Sequence, residues 1–230
     1  MLTEQALYRL MTWLSPSFPV GSYSYSHGIE CAVEDGLITD RDTLTRWVEA
    51  IINHGAGRND ATLFRAAWQA ITDDDQGALA SVAEMADAYR ATPEMALEST
   101  AQGQAFLDTL ANVWPDPKFQ KWANTLTGLD RPPAYAVAVG VAAASAGVPL
   151  GHALVAYLHA MAANLISAGV RLVPLGQTDG QLAQAALEAP LRAAAERAMI
   201  RPLDDFGAAA PMVDWTSMKH ETQYTRLFRS

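Results

Sequence analysis

Five consecutive residues, His27-Gly28-Ile29-Glu30-Cys31, bring an imidazole, a carboxylate and the chain's only thiol into one short segment. On a helix His27 and Cys31 would lie one turn apart on the same side, with Glu30 beside them. Three chemistries are open to such a group. A Cys–His pair could act as a nucleophile and its base. The same two side chains could form a transient site for a soft metal. Or the cysteine is a small buried hydrophobe next to a hydrogen-bonded histidine. His152 and His159, seven residues apart, are a second candidate pair, read as core histidines. The run Asp73-Asp74-Asp75 could hold a cation, but three acids ahead of a helix also complement its dipole.

Several familiar chemistries are excluded by inspection. The only lysines are Lys118, Lys121 and Lys219, and none follows a glycine, so no P-loop lysine can reach a nucleotide's phosphates. A His-Glu-x-x-His zinc helix, a paired-cysteine site and a Gly-x-Ser-x-Gly elbow are all missing. No cofactor and no resident metal are expected. The net charge of −9 repels phosphate backbones, which argues against nucleic acid as a partner. With one cysteine no intrachain disulfide can form, and Met1–Gln5 has neither the basic start nor the apolar run of a secretion signal. Both point to a cytoplasmic chain.

The elements that must position these residues read as helices. Half of the 230 residues are hydrophobic, alanine is plentiful, and β-branched and aromatic residues are sparse. We expect an all-α fold, a single-domain bundle of roughly ten helices over residues 1–203, followed by an extended C-terminal tail, residues 204–230. Thr3 is positioned to cap a first helix reaching Leu14, and a loop follows over 15–22. Thr39 with Asp42 predicts the start of a third helix whose inner stripe is Leu44, Trp47, Val48, Ile51 and Ile52. Asn59 predicts the cap of the next. Thr92-Pro93 and Asp116-Pro117 are cap-then-proline starts. Residues 132–170 carry no formal charge. Gly147-Val148-Pro149 divides that stretch, and its small residues suit a buried hairpin better than a membrane-spanning pair. A last long helix opens near Thr178, with Pro190 as its kink.

The C-terminal segment combines charge with apolar anchors. Its last thirteen residues hold Lys219, Arg226 and Arg229 against Glu221, a charge of +2, which leaves −11 on the remainder. Tyr224, Leu227 and Phe228 lie among them, an interface-like mixture of aromatic, aliphatic and guanidinium groups. The expectation is a docking element whose removal spares the body. Glu30 is expected to matter for function and not for stability, because an unpaired carboxylate is costly to bury.

Three segments carry a family resemblance. Residues 13–30 read WLSPSFPVGSYSYSHGIE, residues 168–177 read AGVRLVPLGQ, and residues 220–230 read HETQYTRLFRS. Together, and in this order, they resemble the UreF family of urease accessory proteins; residues 73–129 contain no matching motif. The resemblance implies an all-α protein that dimerises, binds the accessory protein UreD or UreH through its C-terminal region, recruits the GTPase UreG and delivers nickel to apo-urease. It implies that Glu30 occupies a glutamate slot placed on a nickel path. It also implies that Arg171 lies on the face toward the twin subunit or the GTPase. Glu221, Tyr224, Arg226, Leu227, Phe228, Arg229 and Ser230 are implied to form the docking tail. The family is not known for catalysis, so the other reading is a small helical enzyme using His27, Glu30 and Cys31.

Overall fold

A computed structural model describes all residues 1–230. It has twelve α-helices and no strand. They are α1 (Glu4–Trp13), α2 (Ile29–Glu34), α3 (Arg41–His54), α4 (Ala56–Thr72), α5 (Gln76–Ala88) and α6 (Pro93–Val113), then α7 (Pro117–Thr127), α8 (Tyr135–Ser145), α9 (Leu150–Leu172), α10 (Gln177–Ala186), α11 (Glu188–Ile200) and α12 (Pro211–His220). Single turns of 3-10 helix occupy Ser22–Ser24 and Leu203–Asp205.

Local signals explain most boundaries. Thr3 accepts a hydrogen bond from the Ala6 amide and caps α1. Thr92 and Asp116 cap α6 and α7, each with proline at the first helical position. Asp75, last of the acidic run, caps α5 through the Ala78 amide, and Asp74 pairs with Lys121 at 2.5 Å, so the run does structural work. Two starts differ from the sequence expectation. Asp40, not Thr39, caps α3, in a reciprocal capping box with Thr43. Asn59 lies inside α4, because Gly55 lets the chain turn directly from α3 into the next helix. Gly57 permits the tight turn, since a Cβ there would come within 2.7 Å of the Ile52 Cα. The expected long last helix is two, α10 and α11, divided at Leu187, with Pro190 harmless in the first turn of α11.

Helix α8 is the centre of the bundle. Every residue from Ala136 to Ala144 is buried, as a helix that is apolar all round requires. It packs against α4 with Gly140 over the Phe64 carbonyl, where a Cβ would approach to 2.7 Å. Around this contact lie Phe64, Phe106 and Trp122, all but fully buried, each contributing about 2–3 kcal/mol of apolar burial. α9 is long and apolar enough to cross a bilayer, yet half of that stretch is buried against α3, α4 and α11. The alanines at 142–144 and 162 also pack inside this one chain, so they cannot also form a surface for a second copy.

The C-terminal segment departs most from expectation. Residues 204–230 are not extended. They contain α12, and α12 packs against α2 and α6. Gly28 (φ +78°) makes this approach possible, because a Cβ would lie 2.8 Å from the Ser217 amide nitrogen.

Candidate partner-docking site

Three glutamates of the body hold the C-terminal segment. Glu30, on α2, accepts hydrogen bonds from the Leu227 amide at 2.7 Å and the Phe228 amide at 2.9 Å. Its Oε2 also faces His220 Nε2 at 3.1 Å. Glu94, on α6, faces His220 Nδ1 at 2.8 Å and pairs with Arg226 at 2.8 Å. His220 is fully buried, and both ring nitrogens meet a carboxylate oxygen, so only the imidazolium can donate to both. Glu98, one turn along α6, accepts from the Ser230 hydroxyl at 3.1 Å and faces His27 Nδ1 at 3.2 Å. Ser26 donates from its amide (2.8 Å) and its hydroxyl to the Ser230 carbonyl, and the Arg229 amide donates to the Ser24 carbonyl at 2.8 Å.

This latch rests on an unusual backbone. His27 (φ +57°) and Gly28 are consecutive residues in the left-handed region, turning the loop sharply into α2 and aiming His27 at α6. Such a conformation costs a residue with a Cβ about 1 kcal/mol or more. Burial opposes charge on the His27 ring, but the Glu98 carboxylate, its hydrogen bond and Asp60 outweigh it, and the pKa is raised.

The outward side of the segment is apolar. α12 buries Val213, Thr216, Ser217 and His220 and turns Met212, Trp215 and Met218 outward, each about half exposed. Tyr224 is fully exposed and Leu227 two-thirds exposed, so five large apolar side chains stand on this one segment. Such groupings mark interaction surfaces.

A family model described as UreF matches residues 38–188. The urease accessory protein UreF of Granulibacter bethesdensis is 49% identical over 227 residues, covering 99% of this chain and 95% of its own length. The chain belongs to the UreF family. A protein of the same name from a Rhodopseudomonas palustris strain is 50% identical over 225 residues, 98% of this chain and 92% of that one. The similarity to the Magnetococcus marinus UreF, 47% over 234 residues, takes in the whole of both chains, C-terminal segment included.

Within this UreF-family fold the residues singled out in the sequence are distributed unevenly. Glu30, Arg226, Phe228, Arg229 and Ser230 come together at the latch. Arg171, on α9, joins them: its guanidinium donates to the Tyr23 carbonyl at 2.8 Å and lies 4.3 Å over the Phe228 ring. Phe228 and Ser230 are buried in the body, which corrects the expectation that the segment's side chains stand apart from this chain's own core. Glu221, Tyr224 and Leu227 face outward.

His27 and Cys31 do not form a pair. Helix α2 begins only at Ile29, so His27 precedes it and turns to Glu98, while Cys31 Sγ has Asp35 as its partner at 4.0 Å. Burial and the Asp35 carboxylate push the thiol's pKa up, the opposite of an activated nucleophile. His152 and His159 are exposed and not core residues. Sequence reasoning missed Glu94, Glu98, His220, Met212, Trp215 and Met218. Pro211, the first residue of the ten-residue α12, was the only local signal for Met212, Trp215 and Met218, and His220 was visible only as the first residue of the HETQYTRLFRS segment.

Proposed function

We propose that this chain is a non-catalytic, cytoplasmic accessory factor in urease maturation that works by holding partners. In this reading α12 and residues 221–230 dock on UreD/UreH, the assembly recruits the GTPase UreG, and nickel passes as cargo to apo-urease. One observation carries it: α12 buries a largely polar face and leaves Met212, Trp215 and Met218 outside. An amphipathic helix in a finished fold does the reverse. The arrangement makes sense when a partner covers the outer face.

Glu30 serves this function by fixing the docking segment. Both of its carboxylate oxygens are engaged by Leu227, Phe228 and His220, so a nickel path through Glu30 would require the segment to lift. Arg171 acts with it by clamping Phe228, and its exposed edge remains available to a second copy or to UreG.

The test is co-purification with a UreD/UreH-like partner. Trp215→Ala or Leu227→Ala is expected to weaken capture about thirtyfold, the effect of losing roughly 2 kcal/mol at an interface anchor. The melting temperature should stay within about a degree, since both side chains are exposed. Unchanged capture by both variants overturns the docking assignment. The chain is also proposed to be a homodimer, so light scattering at tens of micromolar should give twice 24.7 kDa; a monomer there refutes it.

A further inference from the structure

Beside the latch lies a cavity of about 520 Å³, within the range of small-molecule sites. The N-terminal loop, α4, α6, α9 and α12 enclose it, and His27, Asn59, Arg90, Tyr135, Tyr157 and Asp214 are among its walls. Three of these side chains are at least nine-tenths buried and end in a polar atom with no partner in the protein: Nε2 of His27, Oδ1 of Asn59 and Nη2 of Arg90. Buried polar groups are rarely left in this state. Three in one cavity describe a ligand by its missing half.

The other polar side-chain atoms of Arg90 and His27 are committed. Arg90 Nη1 donates to Asp60 at 3.0 Å and its Nε to the Ala86 carbonyl at 2.9 Å, while the other Asp60 oxygen accepts from the Tyr157 hydroxyl at 2.9 Å. His27 Nδ1 is held by Glu98. Arg90 is therefore neutralised in place by Asp60, leaving both N–H groups of Nη2 unused, and His27 keeps one free ring nitrogen, Nε2. Opposite in kind is Asn59 Oδ1, a neutral acceptor. Asp214 is the further carboxyl, and burial raises its pKa against the pull of His27. An anion entering here meets Asp60, Glu98 and Asp214; a cation meets Arg90 and His27. Desolvation penalises both.

We propose that this cavity binds a small uncharged molecule carrying a carboxamide on a flat apolar ring. The carbonyl accepts from Arg90 Nη2 and, when the His27 ring is protonated, from its Nε2; the amide N–H donates to Asn59 Oδ1, and the ring lies among Tyr135, Tyr157 and Leu165, which also line the space. No step of the urease-maturation reading is needed for this assignment.

The probe is benzamide on the full chain, followed by saturation-transfer NMR and chemical-shift titration, beside benzoate and benzamidine as its anionic and cationic counterparts of equal size. Benzamide should saturate in the millimolar range, and the two ions should bind at least tenfold more weakly. Asn59→Leu removes an acceptor that has no partner in the protein, and it should weaken benzamide at least tenfold with the circular dichroism spectrum unchanged. If that variant unfolds, Asn59→Ala reads the same loss. No saturable benzamide binding, equal binding of either ion, or unchanged affinity in the folded Asn59 variant overturns the proposal.

Discussion

Glu30 shows how one residue can contradict its own sequence context. A carboxylate beside Ile29 and Cys31 reads as a buried charge awaiting a functional partner, and the structure supplies the partners from 190 residues or more along the chain. It is therefore a stability residue as well. Glu30→Gln turns an acceptor of three hydrogen bonds into a group whose amide must face a donor. Hydrogen bonds to a charged group are worth about 1.5–3 kcal/mol. The expected result is a melting temperature lower by roughly 5 °C, read by calorimetry; an unchanged value would return Glu30 to a purely functional role. His27 gives a pH-dependent counterpart. Its folded pKa is raised, so its contribution is complete below the ordinary value of 6.5 and is lost as pH climbs through the raised one. Compared with His27→Asn, which keeps a residue tolerant of the left-handed backbone, the wild-type advantage in melting temperature should shrink as the pH rises above 6.5. A difference that stays flat over that range counts against the Glu98 pairing.

Elements were legible where their signals are local. Thr3, Thr92-Pro93, Asp116-Pro117 and the break at Gly147-Val148-Pro149 all mark real boundaries, because a cap or a proline acts within one helical turn. The charge-free stretch read correctly as a buried hairpin, since the lack of charge and the small residues are themselves what burial requires. Asn59 misled because a cap residue signals a helix start only where the chain has no earlier way to begin, and the glycines at 55 and 57 provided one. α12 was invisible for a different reason. Its inner face is Thr216, Ser217 and His220, and its outer face is Met212, Trp215 and Met218, so a search for an apolar stripe facing the core finds it inverted. The latch was also illegible, because its pairs join residues brought close only by the finished fold. The same inversion that hid the helix argues for its role, since a polar interior contact satisfied by Glu94 and Glu30 frees the apolar face for a partner.

At the scale of the whole molecule, the segment after Glu221 adds a second tie between parts of the chain that His27 and His220 already join. Residues 24–30 belong to the N-terminal loop and α2, and Glu94 and Glu98 belong to α6, yet residues 226–230 bond to both. A +2 segment lying on a −11 body is drawn in the same direction by long-range attraction, although the exposed part of that attraction is screened by salt. Two costs follow from ending the chain at Glu221. The burial of Phe228, only 4% exposed, is lost, worth about 3–5 kcal/mol by comparison with core phenylalanine truncations. Glu30 loses two backbone donors and Glu94 loses Arg226, which leaves His220 to satisfy both carboxylates alone. Water entering the vacated groove offsets part of this second cost, so the first sets the scale. For a domain of 230 residues each kcal/mol moves the melting temperature by about 2–4 °C, giving an expected drop on the order of 10 °C. Helicity should change little, because residues 222–230 contain no helix. Calorimetry and circular dichroism on the truncated chain separate the two effects. A truncated protein that melts where the full chain does would mean the segment rests on the body without stabilising it, and Glu30 and Glu94 would then need another explanation for their burial.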